Sequence, residues 1–207
     1  MIRSGTIPGL AFGHESDGDG RSDVAARNRI SDPLGISRAW ATVRQVHGSD
    51  VTTVTTPGDH GEADGLVTAT RDLPITVATA DCLPIALAGT RSIGVVHAGW
   101  RGLAAGVIES GVAAIAALGD EVDRAVIGPH IRSCCYEVGD EVIEAVGGFA
   151  AATRAGTQSV DLADAALSRL GGVTTEVVDI CTMDDGAFAS YRETATPHRQ
   201  VTVAWLT

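Results

Sequence analysis

The sequence predicts one α+β domain, residues 1–207, built on mixed β-sheets. Three observations carry that expectation. Six short apolar, β-branched runs follow one another between residues 40 and 96, with no helical period between them. An Ala-rich segment of helical period comes only after them. The 207 residues, 44% hydrophobic and 20% charged, suit one core, and no linker, repeat or low-complexity tract divides them.

The first thirty residues, rich in Gly, Asp and Ser, read as loop leading into a short helix over 23–30. Runs 40–46 and 51–56 flank a Gly48-Ser49-Asp50 turn and read as a hairpin. Runs 65–70, 75–79, 85–88 and 93–96 are four more strands, punctuated by Pro74, Pro84, Gly89 and Gly94. Val107, Ile108, Val112, Ile115 and Leu118 share one face of a helix running over 102–119. Residues 125–127 form a strand ended by Gly128-Pro129. Helices are expected over 139–149 and 161–170, the second with Asp161 as its cap, and strands over 175–180 and 200–206.

Twenty-six acidic residues against fifteen basic ones leave a net charge of −11. All fifteen basic residues are Arg, so a Schiff-base lysine, a P-loop lysine and a lysine general base are excluded. The acidic balance, with no basic run, argues against nucleic acid or an anionic membrane as partner. The first twelve residues lack a signal-peptide pattern. Glu109, Ser110 and internal glycines make 102–119 a buried helix rather than a membrane span. The four cysteines show no bridging pattern, and a reduced, cytoplasmic, monomeric chain is expected.

Chemistry concentrates in segments that set a ligand or a charge beside glycine at a strand end. His47, Cys82 and His97 form a two-imidazole, one-thiolate set that suits Zn²⁺ and leaves a fourth position open. The same residues also read as a cysteine nucleophile with a histidine base, or as unrelated core and loop residues. Spacing alone does not choose among these. Arg101, beside Gly102 where the long helix is expected to begin, suggests an anion site, and Arg44 offers a second positive charge. Asp81 and Asp64 are candidates for proton transfer or for holding a ligand histidine's other nitrogen. Trp100 is expected either to stack on a planar base or to cap the core. Cys134, Cys135 and Cys181 lack a C-x-x-C pattern and read as structural. His14, His60 and His198 read as exposed, and His130 is placed at the rim of the site.

Arg44-Gln45-Val46-His47-Gly48, Ala63-Asp64-Gly65, Thr79-Ala80-Asp81-Cys82-Leu83-Pro84, His97-Ala98-Gly99-Trp100-Arg101-Gly102 and Cys134-Cys135-Tyr136-Glu137-Val138-Gly139 together resemble the signature blocks of the YfiH-like family. This family is also called the laccase-domain or polyphenol oxidase family, and the likeness runs over 28–206. The resemblance implies an α/β/β/α sandwich similar to the catalytic domain of cytotoxic necrotizing factor toxins. It implies zinc, with copper as the alternative, on His47, Cys82 and His97. It also implies phosphorolysis of adenosine, inosine and methylthioadenosine, deamination of adenosine, or hydrolysis of a peptidoglycan precursor. A purine nucleoside and phosphate are then the partners. Cys82, Asp81 and Arg101 become catalytic candidates, and Arg44, Arg101 and Asp64 substrate-binding ones.

A multicopper laccase uses about ten histidines, often as His-x-His pairs; six histidines and no such pair exclude that machinery within this chain. A zinc deaminase signature H-x-E…P-C-x-x-C is also missing. The C-terminal block departs from the family pattern, reading Ala189-Ser190-Tyr191-Arg192-Glu193 and later Pro197-His198-Arg199. A shifted substrate range is expected from that departure.

Overall fold

In the computed structural model, which describes residues 1–207, alternation of side chains along the strands sorts them into layers. The strands are β1 (Ile2–Arg3), β2 (Leu10–Phe12), β3 (Ala41–Arg44), β4 (Val51–Thr53), β5 (Gly58–Glu62), β6 (Gly65–Thr68) and β7 (Ile75–Thr79). After them come β8 (Leu83–Ala88), β9 (Ile93–Ala98), β10 (Arg124–Ile127), β11 (Ala150–Ala152), β12 (Gln158–Val160), β13 (Thr174–Val177) and β14 (Gln200–Ala204). The helices are α1 (Val24–Leu34), α2 (Trp100–Ala105), α3 (Val107–Ala117), α4 (Asp140–Ala145), α5 (Leu162–Leu170) and α6 (Tyr191–Thr194). No helix is long and apolar enough to cross a membrane.

Two six-stranded mixed sheets form, in the orders β1-β2-β14-β7-β3-β5 and β13-β10-β8-β9-β6-β4. Leu83, Ile85 and Leu87 of β8 point to a cluster with Leu103, Ile108, Ile115 and Ala166 from the helices. Ala86 and Ala88 point the other way, into an inter-sheet core with Phe12, Val43, Ile75, Val77 and Val95. On the far side of the first sheet, Val201 and Val203 meet Ile30 and Leu34 of α1, with Trp40 and Trp205. The layers are therefore helix, sheet, sheet, helix, the α+β architecture the sequence predicts.

Four local expectations are corrected. Runs 40–46 and 51–56 are not a hairpin: β3 pairs in parallel with β5 and β7, and β4 in parallel with β6 of the other sheet. The amides of Val46, His47 and Gly48 go to the Asp64 carboxylate instead of to a facing strand. The helix over 102–119 is two helices, because Gly106 at φ 89° closes α2 and opens α3 in a left-handed conformation open to glycine. Its first part begins at Trp100, ahead of Gly102. Within the loop-like first thirty residues, β2 is a three-residue strand whose side chains are all buried. Asp161 does cap α5, accepting from the amides of Ala163 and Asp164.

The β8–β9 turn is held by Asp120, which follows α3. Its carboxylate accepts from the Arg91 amide at 2.8 Å, the Ser92 hydroxyl at 2.8 Å and the Thr90 hydroxyl at 3.0 Å. Burial opposes its ionisation, but the Arg91 amide and the Ser92 and Thr90 hydroxyls outweigh it and hold the carboxyl well below the usual range. Asp120→Ala is expected to cost about 2 kcal/mol in urea unfolding at pH 7. The native carboxyl is the stronger acid, so its contribution is complete above about pH 4 and is withdrawn as pH falls. Stability of the parent should therefore drop more steeply than that of the variant below about pH 4.

Candidate metal centre and substrate pocket

Strand register assembles the site. Antiparallel pairing of β8 with β9 sets Pro84 opposite His97 and Leu83 opposite Ala98, bringing Cys82, just before β8, to the end of β9. Antiparallel pairing of β6 with β9 sets Gly65 opposite Val96, so Asp64 flanks His97, whose amide donates to the Asp64 carbonyl at 2.7 Å. His47 comes from the crossing segment after β3, at a positive φ of 61°. Gln45 anchors that segment by donating to the Ala78 carbonyl and accepting from the Ala78 amide, both at 2.8 Å.

The ligand atoms of His47, Cys82 and His97 all lie within 4.8 Å of one another. The two imidazole rings meet edge to face with centroids 4.7 Å apart. A Cβ at Gly99 would stand 2.9 Å from the Cys82 sulfur and 3.5 Å from His47, so the cradle is closed to any larger residue. Below it, the fully buried Asp64 carboxylate holds His97 Nδ1 at 2.8 Å. Its other donors are the amides of His47 at 2.9 Å, Gly48 at 2.6 Å and Val46 at 3.2 Å. With Nδ1 taken by a carboxylate, the other nitrogen of His97 is left for Cys82 or an ion, the carboxylate–histidine–metal pattern.

Electrostatics follow from this packing. Burial pushes the Asp64 carboxyl up, but the His97 hydrogen bond, the Gly48 and His47 amides and the His97 charge hold it below its usual range. Burial favours neutral His97, yet the Asp64 and Cys82 partners raise it to about 9. Burial also works to raise the Cys82 thiol, whereas hydrogen bonds and charge from His47 and His97 lower it to about 6. A thiolate, an imidazole fixed by a carboxylate and a second imidazole are a donor set for one borderline divalent ion.

The centre opens into a cavity of about 640 Å³. Its lining includes Asp81, Arg101, Tyr136, Tyr191, Arg192 and Arg199. Arg101 makes no ion pair or hydrogen bond within the chain, and its guanidinium lies over the Trp100 ring at 4.4 Å. It sits in the first turn of α2 rather than ahead of a helix start. Trp100 itself is half-buried against the helical core. Asp81 lines the cavity at a positive φ of 88°, with one carboxylate oxygen on the Thr182 hydroxyl at 2.8 Å and the other on the Arg192 amide at 2.7 Å.

Two residues expected at the substrate lie elsewhere. Arg44 points to solvent and pairs with Glu62, and it does not line the cavity. Asp64 is sealed beneath His97 with its oxygens already engaged by His97 and the amides of Val46, His47 and Gly48, and it does not line the cavity. His130, expected at the rim, is buried with Nδ1 donating to the Gly128 carbonyl at 2.8 Å. In place of Arg44 the fold supplies Arg21, Arg192 and Arg199. Tyr136, Arg192 and the exposed Tyr191 were legible only as parts of the sequence blocks around them.

The family model described as multi-copper polyphenol oxidoreductase laccase matches residues 4–207. The chain belongs to this YfiH-like family. Purine nucleoside phosphorylase ORF3 of Streptomyces griseus is 38% identical over 91% of this chain and 84% of its own length. A purine nucleoside phosphorylase of Mycobacterium bovis is 34% identical over 91% of this chain and 82% of its own. YlmD from Geobacillus stearothermophilus superposes with a TM-score of 0.85 at 25% identity, covering 99% of this chain and 94% of that one. YfiH from Bacillus licheniformis gives 0.81 at 25% identity, covering 91% and 82%. These likenesses extend to the whole sandwich of this YfiH-like chain.

The donor set does not fit several copper ions. His14 bonds the N-terminal amine, His60 bonds the Thr56 carbonyl, and His130 is buried on Gly128. His47 and His97 are the only histidines in either cluster of metal-ligand type. The residues fit one ion at this centre.

Proposed function

We propose that the chain is a zinc-dependent purine nucleoside phosphorylase acting on adenosine, inosine and methylthioadenosine. The observation that carries the reading is one cavity holding both the His47–Cys82–His97 set and an Arg101 guanidinium whose N–H groups make no hydrogen bond or ion pair within the chain. The Streptomyces and Mycobacterium relatives, both named as purine nucleoside phosphorylases, support it. A volume near 640 Å³ lies in the usual range for small-molecule sites.

In phosphorolysis a phosphate oxygen bonds to C1′ of the ribose as the bond from C1′ to the purine nitrogen breaks, and the base leaves with that electron pair and takes a proton. Arg101 is assigned to the phosphate, for which its planar fork is suited. Arg192 and Arg199 add positive charge to the lining of the same cavity in an otherwise acidic chain. Burial, with the charges of Cys82 and Asp81, pushes the Tyr136 phenol up to about 12, so it keeps its proton at neutral pH and can donate to the departing base. His47, Cys82 and His97 would hold zinc, which would supply positive charge and Lewis acidity at the floor of the cavity.

Metal-loaded protein given inosine or adenosine with phosphate is expected to release ribose 1-phosphate and free base in equal amounts. Phosphate-independent formation of inosine from adenosine would instead show deamination, and no turnover of any purine nucleoside would remove the reading. Arg101→Gln is expected to raise KM for phosphate on the order of 10- to 100-fold, the loss of a hydrogen bond to a charged group. An unchanged KM would take Arg101 out of the phosphate site.

The lowered Cys82 thiol beside a carboxylate-held His97 also supports a second reading, a cysteine hydrolase acting on a peptidoglycan precursor. Alkylation that abolishes turnover of metal-free protein would favour it over phosphorolysis.

A further inference from the structure

Away from that centre, the cysteines lacking a C-x-x-C spacing converge. Cys134 and Cys135 lie between β10 and α4, and Cys181 and Asp184 lie between β13 and α6. Their four ligand atoms all fall within 4.8 Å of one another. The Cys134 and Cys135 sulfurs are 3.3 Å apart, and Asp184 oxygens stand 3.7 Å and 3.4 Å from them. The edge of a tetrahedron of sulfurs around zinc is about 3.8 Å, from metal–sulfur bonds of about 2.3 Å. The cluster thus needs only small side-chain shifts to close on one ion.

We propose that Cys134, Cys135, Cys181 and Asp184 form a second metal site, four-coordinate and selective for a thiophilic divalent ion of the zinc class. Three thiolates set the preference for such an ion over magnesium or calcium. The supporting contacts are those of a built site. The Arg132 amide donates to the Cys181 sulfur at 3.4 Å. Arg154 grips the Asp184 carboxylate through both terminal nitrogens, orienting it and leaving lone pairs for a metal. The surface over the cluster is an open depression of about 640 Å³, which gives an ion access.

The site has a structural consequence. Tyr136 follows Cys135 directly, and Thr182, which holds Asp81, follows Cys181 directly. An ion here ties the loop that brings Tyr136 to the substrate cavity to the loop whose Thr182 holds the cavity residue Asp81.

The test uses Cys82→Ala, which removes the sole thiolate of the His47–Cys82–His97 centre, so that any cobalt–thiolate signal must come from the cluster. Full-length Cys82→Ala is loaded with Co²⁺ under a non-thiol reductant. A near-ultraviolet thiolate-to-cobalt charge-transfer band is expected, with one ion per chain attributable to it by titration. Adding Cys134→Ser and Cys181→Ser should abolish the band. Absence of the band in Cys82→Ala, or its persistence in the triple variant, overturns the proposal. Should the triple variant fail to fold, the band in Cys82→Ala decides alone. Neither outcome depends on purine nucleoside turnover, so the two readings fail separately.

Discussion

Replacing His47, Cys82 or His97 by alanine is expected to remove one bound ion per chain and to abolish turnover. Four-ligand zinc sites bind with about 10–16 kcal/mol, so each ligand accounts for roughly 2.5–4 kcal/mol, or about 10²- to 10³-fold in affinity. Chelator competition on each variant measures the loss directly, and full retention in all three sinks this centre. The centre also has a proton linkage of definite sign. His97 is held protonated up to about pH 9 by Asp64 and Cys82, whereas the Cys82 thiol is already ionised above about pH 6. An ion must displace the His97 proton, since metals take the neutral imidazole. Between pH 7 and pH 9, binding should therefore release about one proton per ion, and affinity should rise by about tenfold per pH unit. Flat affinity across that window would place the proton elsewhere.

Asp64→Ala carries the second large effect. It strips the buried partner from His97 Nδ1 and from the amides of Val46, His47 and Gly48 at once. Breaking a buried charged pair costs about 3–5 kcal/mol, and losing the carboxylate behind a ligand histidine costs about 10- to 100-fold in metal affinity. Urea unfolding and chelator titration should both register the change. Asp64→Asn fills the same space but turns a donor toward groups that donate, so it should recover packing without recovering affinity. Wild-type stability in Asp64→Ala would show that the crossing segment is held by something other than this carboxylate.

Much of the fold was readable because burial imprints itself on local pattern. β7, β8 and β9 are buried along their whole length and mostly apolar, and the face of α3 repeats with helical period. The misreadings share a cause. β2 is too short to show a period, β5 is a polar edge strand reading Gly-Asp-His-Gly-Glu, and the β11–β12 hairpin is mostly small and polar. The 40–56 segment looks like a hairpin because two β-branched runs flank a Gly-Ser-Asp stretch, but its strands go to different sheets. Arg44 and Arg192 show the same limit at the site. Both are arginines beside a motif, and only packing sends one to Glu62 and the other to the cavity.

By itself the sequence determined the α+β class, the absence of lysine chemistry, the family, and which residue types stand beside glycine at strand ends. These are properties of composition and of short windows of chain. Tertiary structure alone decided that Asp64 lies under His97, that Arg101 faces the cavity without an ion pair, and that Cys134 and Cys135 meet Cys181. Those facts depend on strand register and on loops joined across tens of residues, and no local pattern encodes a contact whose partners are chosen by the pairing of other strands.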